Sequence, residues 1–189
     1  MSGMKAGVLA LQGDFREHAA MLEASGATPV LVRKPEDLDD AACLVIPGGE
    51  STTIAKLAHR YDLVVPIRER ASGGMPVFGT CAGMIAMARE VAGGEPLLGL
   101  MDITVERNAY GRQVDSFEAD VHVAGLGAPV RGVFIRAPAV TRVGGGVEVL
   151  AEHDGAPVVV AQNGLLAAAF HPEIAGDPRL HAWFLERVV

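Results

Sequence analysis

One cysteine of the sequence stands in a setting that suits a nucleophile. Cys81 follows a short apolar run, has glycines two positions away on each side, at Gly79 and Gly83, and directly precedes a helical segment. Such glycines permit the cramped strand-to-helix turn that lifts a nucleophilic side chain above a sheet. The helix start adds N–H groups for an oxyanion and a positive dipole end that favours a thiolate. The alternative is a buried core cysteine at a glycine-rich turn, since free cysteine is among the most buried residue types.

A thiol nucleophile needs a base, and the base needs a group that orients it. His171-Pro172-Glu173 follows the apolar run 166–170. Proline restricts the backbone between the histidine and the acid, and side chains two positions apart in an extended segment point to the same side. We therefore expect Glu173 to hold one ring nitrogen of His171 while the other faces Cys81. Both Cys81 and His171 follow predicted strands, at the sheet edge where open α/β folds place their sites.

A third segment, Gly48-Gly49-Glu50-Ser51, ends another predicted strand. We expect Ser51 to cap the following helix. A phosphate cradle is disfavoured, because the Gly-x-x-x-x-Gly-Lys-[Ser/Thr] pattern is absent and Glu50 would repel phosphate. An oxyanion hole formed by the backbone N–H groups of Gly49 and Ala82 is the better interpretation. A plain glycine-rich helix start is the alternative.

The remaining histidines and the second cysteine are expected to have no direct chemical role. Cys43 lies within a predicted strand and is expected to fill the core. The other histidines are predicted to be surface or edge residues: His18, His59, His122, His153 and His181. No histidine pair has metal-ligand spacing and no Cys-x-x-Cys is present, so neither a metal nor a cofactor is expected.

Predicted strands and helices, which must position these residues, alternate along the first half of the chain. Strands are predicted at 7–11, 29–32, 43–47 and 76–79, and helices at 14–25, 51–60, 65–71 and 82–91. Such alternation indicates βαβ units and a parallel sheet. The second half has short strand-like runs at 103–106, 117–123, 130–136, 147–152, 158–162 and 166–170, before a closing helix at 178–189. These runs predict either an antiparallel extension of the first sheet or a small second sheet.

The predicted fold class is therefore α/β, with a three-layer, flavodoxin-like, mostly parallel sheet, helices on both faces and antiparallel strands added in the second half. Residues 1–189 are expected to form a single domain, because single cores usually span about 100–200 residues.

Composition narrows the class of protein. Half of the 189 residues are hydrophobic and 21% are charged, which argues against disorder. Sixteen Lys and Arg against twenty-three Asp and Glu give a net charge of −7 without a basic run, which argues against a nucleic-acid partner. No apolar stretch reaches membrane-spanning length, the first twelve residues lack an export signal, and two cysteines form no disulfide framework. These features predict a cytoplasmic protein without membrane contact.

These motifs together resemble the class I, triad-type glutamine amidotransferases. Gly79-Thr80-Cys81-Ala82-Gly83 is similar to that family's nucleophile motif, and His171-Pro172-Glu173 is similar to its base and acid. Four further segments resemble the glutaminase subunits of pyridoxal 5′-phosphate synthases, at residues 8–18, 47–53, 105–113 and 134–138. The resemblance runs in order along nearly the whole chain.

The resemblance implies hydrolysis of L-glutamine to L-glutamate and ammonia through a glutamyl thioester. The ammonia would pass to a separate synthase subunit, in a large hetero-oligomer, that builds pyridoxal 5′-phosphate (vitamin B6) from a pentose phosphate and a triose phosphate. Such glutaminases work poorly without their partner. The resemblance makes Cys81, His171 and Glu173 the triad, and it implies glutamine-binding roles for Gly49, Glu50, Ser51, Arg107, Ile135 and Arg136.

The chemistry of the implied positions suits glutamine. Arginine matches the substrate carboxylate, so Arg107 and Arg136 are candidates for that contact, and Glu50 could meet the ammonium. Gln12 is a candidate for signalling partner docking. Two rivals stay open: a stand-alone Cys–His–Glu hydrolase such as a γ-glutamyl peptidase, and a non-enzymatic flavodoxin-like binding module.

Overall fold

The protein is described by a computed structural model that covers residues 3–108 and 116–188. Its strands are, in chain order, β1 (Lys5–Leu9), β2 (Thr28–Val32), β3 (Cys43–Ile46), β4 (Val77–Thr80), β5 (Ala88–Val91), β6 (Met101–Glu106), β7 (Ser116–Val121), β8 (Val130–Ile135), β9 (Ala139–Val143), β10 (Glu148–His153), β11 (Ala156–Gln162) and β12 (Leu165–Ala168). Its helices are α1 (Phe15–Ala24), α2 (Ser51–Arg60), α3 (Val64–Ser72), α4 (Ala82–Met87) and α5 (Arg179–Val188), with a 3-10 turn at Pro35–Leu38.

Seven strands form the main sheet in the order β10-β11-β12-β4-β3-β1-β2. The five strands from β12 to β2 are parallel to one another, and β11 and β10 extend the β12 edge in antiparallel fashion. The parallel order β2-β1-β3-β4-β12 is the doubly wound arrangement of flavodoxin-like folds. The predicted fold class is thereby confirmed.

The central strands β3 and β4 are buried along their whole length, as strands covered on both faces must be. Helix α1 contacts α5, and α2 contacts α4, so the helices pack in two groups. Four-residue strands of this kind need continuous apolar or small side chains, which the sequences Cys-Leu-Val-Ile and Val-Phe-Gly-Thr supply. None of the helices within the described ranges is long and apolar enough to cross a membrane.

Two small sheets accompany the main one. Strands β5, β6 and β9 form the first, and β7 and β8 form the second as an antiparallel hairpin. Both alternatives predicted for the second half of the chain are therefore realised, an extension of the main sheet and separate small sheets. Strand β9 was not predicted, because Val140 is its one buried side chain and the alternation of the segment is weak.

The prediction of a helix at 82–91 is wrong over its last four residues. Helix α4 ends at Met87, and β5 then pairs in parallel with β6, where Val91 lies opposite Val105. Local composition favours helix through Arg89 and Glu90, but pairing with a strand distant in sequence overrides that preference.

The parallel strands bring the candidate residues to one edge of the sheet. The segments that leave the carboxyl ends of β1, β3, β4 and β12 carry, in that order, Gln12 and Asp14, the Gly48-Gly49 turn, Cys81, and His171. Residues far apart in the chain therefore meet there.

Candidate active site

Cys81 occupies a strained turn between β4 and α4. Its φ of 49° lies in the left-handed region, which costs a non-glycine residue about 1–3 kcal/mol and is found mainly where the surroundings enforce it. The turn is held by the Cys81 N–H, which donates to the Ala168 carbonyl at 2.8 Å. A Cβ at Gly83 would lie 2.0 Å from the Ile46 carbonyl oxygen, so only glycine fits there. The predicted cramped turn is confirmed.

His171 and Glu173 form a buried pair next to this turn. Nδ1 of His171 lies 2.7 Å from Oε1 of Glu173, and both residues are less than 5% exposed. Glu173 and Asp14 both face Nδ1 of His171, so Nε2 is the ring nitrogen left for Cys81, which lines the same cavity. The His171 N–H donates to the Val133 carbonyl at 2.8 Å, which anchors the base to β8. The three residues predicted to act together are thus brought together.

The charges of this pair reinforce each other. Burial lowers the pKa of His171, but hydrogen bonds with Asp14, Cys81 and Glu173 outweigh burial and leave this pKa well above its ordinary value. Burial raises the pKa of Glu173, but the neighbouring imidazoles of His18 and His171 reverse that effect and hold it below its ordinary value. The arrangement therefore favours a protonated His171 held by an ionised Glu173.

Asp14 is a neighbour of the base that the sequence motifs do not single out. Its Oδ2 lies 3.2 Å from Nδ1 of His171. Asp14 is the N-cap residue of α1, yet its side chain makes no capping hydrogen bond. An aspartate directly after a strand of the parallel sheet was the available signal, but it also fits an ordinary helix cap.

His18 and His181 are not surface or edge residues, and that prediction is wrong for both. Each is completely buried, and Nδ1 of His18 lies 2.8 Å from Nε2 of His181. Nε2 of His18 lies 2.9 Å from Oγ1 of Thr80 and 3.4 Å from Oε2 of Glu173. The signal was the helical spacing of Phe15, His18 and Leu22, which places His18 on the core side of α1.

The Gly48-Gly49 turn is held by Gln12. The Glu50 N–H donates to Oε1 of Gln12 at 2.7 Å. Gly49 has a φ of 151°, and a Cβ there would lie 2.5 Å from the same Gln12 oxygen. Within the described residues, the N–H groups of Gly49 and Ala82 have no hydrogen-bond acceptor, and both residues line the same cavity.

Glu50, and not Ser51, caps α2. The Glu50 carboxylate accepts hydrogen bonds from the N–H groups of Thr52 and Thr53 at 3.1 and 2.8 Å, while Ser51 is the first residue of the helix. The prediction that Ser51 caps this helix is therefore wrong, because the longer Glu50 side chain reaches the free N–H groups first. Hydrogen bonds from Thr52 and Thr53 lower the pKa of Glu50 to about 2.

A cavity of about 450 Å³ opens above Cys81 and His171. Its lining includes Ala82 and all six residues that the resemblance implies in glutamine binding: Gly49, Glu50, Ser51, Arg107, Ile135 and Arg136. The carbonyl oxygen of Ile135 lies 3.8 Å from Sγ of Cys81. Nε of Arg107 is buried without a hydrogen-bond partner among the described residues. Of the motif at 105–113, residues 109–113 lie outside the described part of the chain.

Within the described part of the chain, Asp14, His171 and Glu173 form a group that could hold a metal ion, with one ligand atom from each lying within 4.8 Å of the others. The ring nitrogen that a metal would need is already hydrogen-bonded to Glu173 at 2.7 Å. We therefore interpret the group as a hydrogen-bonded network around the base.

Comparisons with known proteins agree with this geometry. Residues 8–189 match the SNO glutamine amidotransferase family. Pyridoxal 5′-phosphate synthase subunit PdxT of Pelotomaculum thermopropionicum is 61% identical over 188 residues, covering 98% of this chain and 96% of that protein. The protein of the same name from Desulforudis audaxviator is 58% identical, covering 98% of this chain and 99% of its own.

Solved structures extend the comparison. The crystal structure of a glutamine amidotransferase has a TM-score of 0.93 at 52% identity and covers 98% of this chain and 99% of its own. The structure of PurLQS from Thermotoga maritima, 17% identical with a TM-score of 0.77 over 100% of this chain and 100% of its own, shares the fold. On the match along residues 8–189 and the identity to these relatives, the chain belongs to the SNO glutamine amidotransferase family.

Proposed function

We propose that this protein hydrolyses L-glutamine to L-glutamate and ammonia, with Cys81 as nucleophile, His171 as acid and base, and Glu173 as the group that orients His171. The observation that carries the proposal is Cys81 on its strained turn, lining one cavity with His171, whose Nδ1 lies 2.7 Å from Oε1 of Glu173. A nucleophile, a base and an orienting acid in this order are the parts that acyl transfer requires.

In the first half-reaction the Cys81 thiolate attacks the carboxamide carbon of glutamine and forms a C–S bond. The carbonyl oxygen takes the electron pair, and we propose that the N–H groups of Gly49 and Ala82, which line the same cavity, hydrogen-bond it. Protonated His171 gives its proton to the amide nitrogen. The C–N bond then breaks, which releases ammonia and leaves a glutamyl thioester.

In the second half-reaction His171, now neutral, removes a proton from water. The resulting hydroxide attacks the thioester carbon, and the C–S bond breaks. Glutamate leaves with the added oxygen, Cys81 returns as a thiolate and His171 is protonated again. Glu173 stays ionised and holds Nδ1 of His171 throughout both steps.

The cavity offers groups for the rest of glutamine. Its volume of about 450 Å³ accommodates a free amino acid. Arg107 presents a buried guanidinium nitrogen without a partner among the described residues, which suits it to the substrate carboxylate. Gly49, Ser51, Ile135 and Arg136 are proposed as the further contacts, and Glu50 for the ammonium, alongside its capping of α2.

The ammonia is proposed to pass to a separate synthase subunit that makes pyridoxal 5′-phosphate from a pentose phosphate and a triose phosphate. The names of the relatives, which are subunits of such a synthase, support this assignment. Free ammonia becomes ammonium near neutral pH and loses its nucleophilicity, so delivery inside a hetero-oligomer is chemically favoured. We place the protein in the cytoplasm, where Cys81 stays reduced, and assign residues 1–189 to one glutaminase domain.

The test is a glutaminase assay with and without the synthase subunit, using Cys81→Ala as the control. We expect low turnover by the isolated protein, a marked increase with the synthase, and no activity above background for Cys81→Ala. Full turnover without the synthase would favour a stand-alone hydrolase. Activity retained by Cys81→Ala would contradict the triad and favour a non-enzymatic role for this site.

A further inference from the structure

A buried carboxylate oxygen behind the proposed triad lacks a hydrogen-bond partner. Oε1 of Glu173 is occupied by His171, but Oε2 is buried and unpartnered among the described residues. The Glu173 side chain is completely buried, and leaving a charged oxygen in that state is costly unless a nearby group offsets the charge. Nε2 of His18 lies 3.4 Å from Oε2.

The contacts of His18 determine which of its nitrogens carries a proton. Nε2 faces Oγ1 of Thr80 at 2.9 Å and the ionised carboxylate of Glu173 at 3.4 Å. A bare nitrogen lone pair there would be repelled by the carboxylate, so Nε2 carries the hydrogen. Nδ1 of His18 lies 2.8 Å from Nε2 of His181, which completes the hydrogen bonding of the ring. His18 therefore presents a positive N–H edge to Glu173.

We propose that His18 is a positioning residue for the glutaminase reaction, which acts through Glu173 on His171. This inference rests on the function proposed above. The N–H edge of His18 holds Glu173 from the side opposite His171, so Oε1 stays aligned with Nδ1 of the base. Thr80 and His181 in turn hold the His18 ring between the main sheet and α5.

The groups around the Glu173–His171 pair come from three parts of the fold. His18 reaches it from α1, His171 from the segment after β12, and Asp14 contacts His171 from the segment before α1. His181 on α5 and Asp177 just before that helix lie further along the same network. Among the described residues, His18 and His171 are the basic side chains within 4.0 Å of the Glu173 carboxylate, so removing His18 leaves His171 as its one such neighbour.

The test compares His18→Leu, His18→Gln and Leu22→Ala in the assembled complex with the synthase subunit. Leucine removes the N–H edge, whereas glutamine keeps an N–H donor on a side chain of similar reach. Leu22 lies one turn further along the same face of α1, is completely buried and belongs to the apolar core, so its truncation loosens α1 without touching Glu173. It controls for the structural cost of a buried change in α1.

We expect His18→Leu to lower kcat about 10- to 100-fold, the range seen when a group that orients a functional residue is lost, with little change in KM. The acid limb of its kcat/KM profile should move to higher pH, because Glu173 then protonates more readily. His18→Gln should recover most of the activity, and Leu22→Ala should lower the melting temperature while its kcat and pH profile stay close to wild type.

A readout that does not need glutamine separates this inference from the proposed function. In wild type, the proton shared by His171 and Glu173 should give a far-downfield NMR signal, which His18→Leu should broaden or shift and Leu22→Ala should keep. If wild type lacked glutaminase activity but showed this pattern, the proposed function would fail, whereas the positioning of Glu173 and His171 by His18 would stand. Wild-type kcat and an unchanged downfield signal in a folded His18→Leu protein would overturn the inference.

Discussion

At the scale of single residues, environment gives two cysteines opposite properties. Cys43 lies inside β3 with no exposed surface, and burial raises the pKa of its thiol to about 12. Cys81 sits at the end of β4, on a strained turn that opens into the cavity beside His171. A buried thiol without a base is inert, whereas a thiol that shares a cavity with a histidine base is suited to nucleophilic attack. The position of each cysteine in the fold, more than its residue type, therefore determines whether it fills the core or is suited to react.

The pH dependence of the unfolding free energy should reveal the contribution of ionised Glu173 to stability. Its pKa is lower in the folded protein than its usual value of 4.5, so its ionised form stabilises the fold above that pH. This contribution is lost as the pH falls through the folded value. We therefore expect wild type to exceed Glu173→Gln in unfolding free energy most strongly near neutral pH, and the gap to shrink as the solution becomes acidic. Urea denaturation of both proteins at several pH values measures this difference in unfolding free energy. A difference that widened in acid would contradict the lowered pKa of Glu173.

At the scale of the elements, the turn after β3 sets the position of the base. A Cβ at Gly48 would lie 2.3 Å from Cε1 of His171. Gly48→Ala must therefore push the imidazole away from Cys81 and Glu173, and a displacement of about 1 Å can cost about 100-fold in rate.

We expect a loss of that order in glutaminase kcat/KM for Gly48→Ala, measured in the complex with the synthase subunit. Gly145→Ala is the matched control, since nothing lies within 4 Å of a Cβ there and its backbone does not adopt a positive φ. Wild-type activity in Gly48→Ala would show that the imidazole does not need its present position.

The helix that follows this turn depends on Glu50. Its carboxylate satisfies the N–H groups of Thr52 and Thr53, which have no partner inside the helix. Glu50→Ala should lower the unfolding free energy by about 1 kcal/mol, the usual cost of losing a side-chain cap. Glu50→Gln keeps one acceptor oxygen and should recover part of the lost unfolding free energy. Equal stability of all three proteins in chemical denaturation would contradict the capping role.

The sequence could predict those features that depend on local pattern. The buried strands, the glycines around Cys81 and the His-Pro-Glu segment carry their own signals, and the doubly wound topology brings them together. Features that depend on contacts between distant segments could not be predicted. The residues from Ala88 onward leave the helix because β6 pairs with them, and His18 is buried because α5 covers α1. Asp14 fits a helix cap equally well until His171 is placed beside it.

At the scale of the whole molecule, one continuous apolar core joins the three sheets. Buried side chains of β5, β6 and β9 and of the β7–β8 hairpin belong to the same cluster as the central strands β3 and β4. The site gains rigidity from this continuity, because β8, β12 and α1 all hold groups around His171. A loss of packing in either small sheet should therefore disturb the position of His171 as well as the sheet itself.

A shared core predicts that the protein unfolds as one cooperative unit. If residues 1–189 form a single domain, heating should give one transition in which the calorimetric and van't Hoff enthalpies agree. A chain of 189 residues should then absorb about 130 kcal/mol near 60 °C. Differential scanning calorimetry of the isolated chain measures both enthalpies. Two resolved transitions would instead mean that the small sheets unfold separately from the parallel sheet. Labelling of Cys81 by a thiol reagent after the first transition would then show that the site becomes exposed before the parallel sheet unfolds.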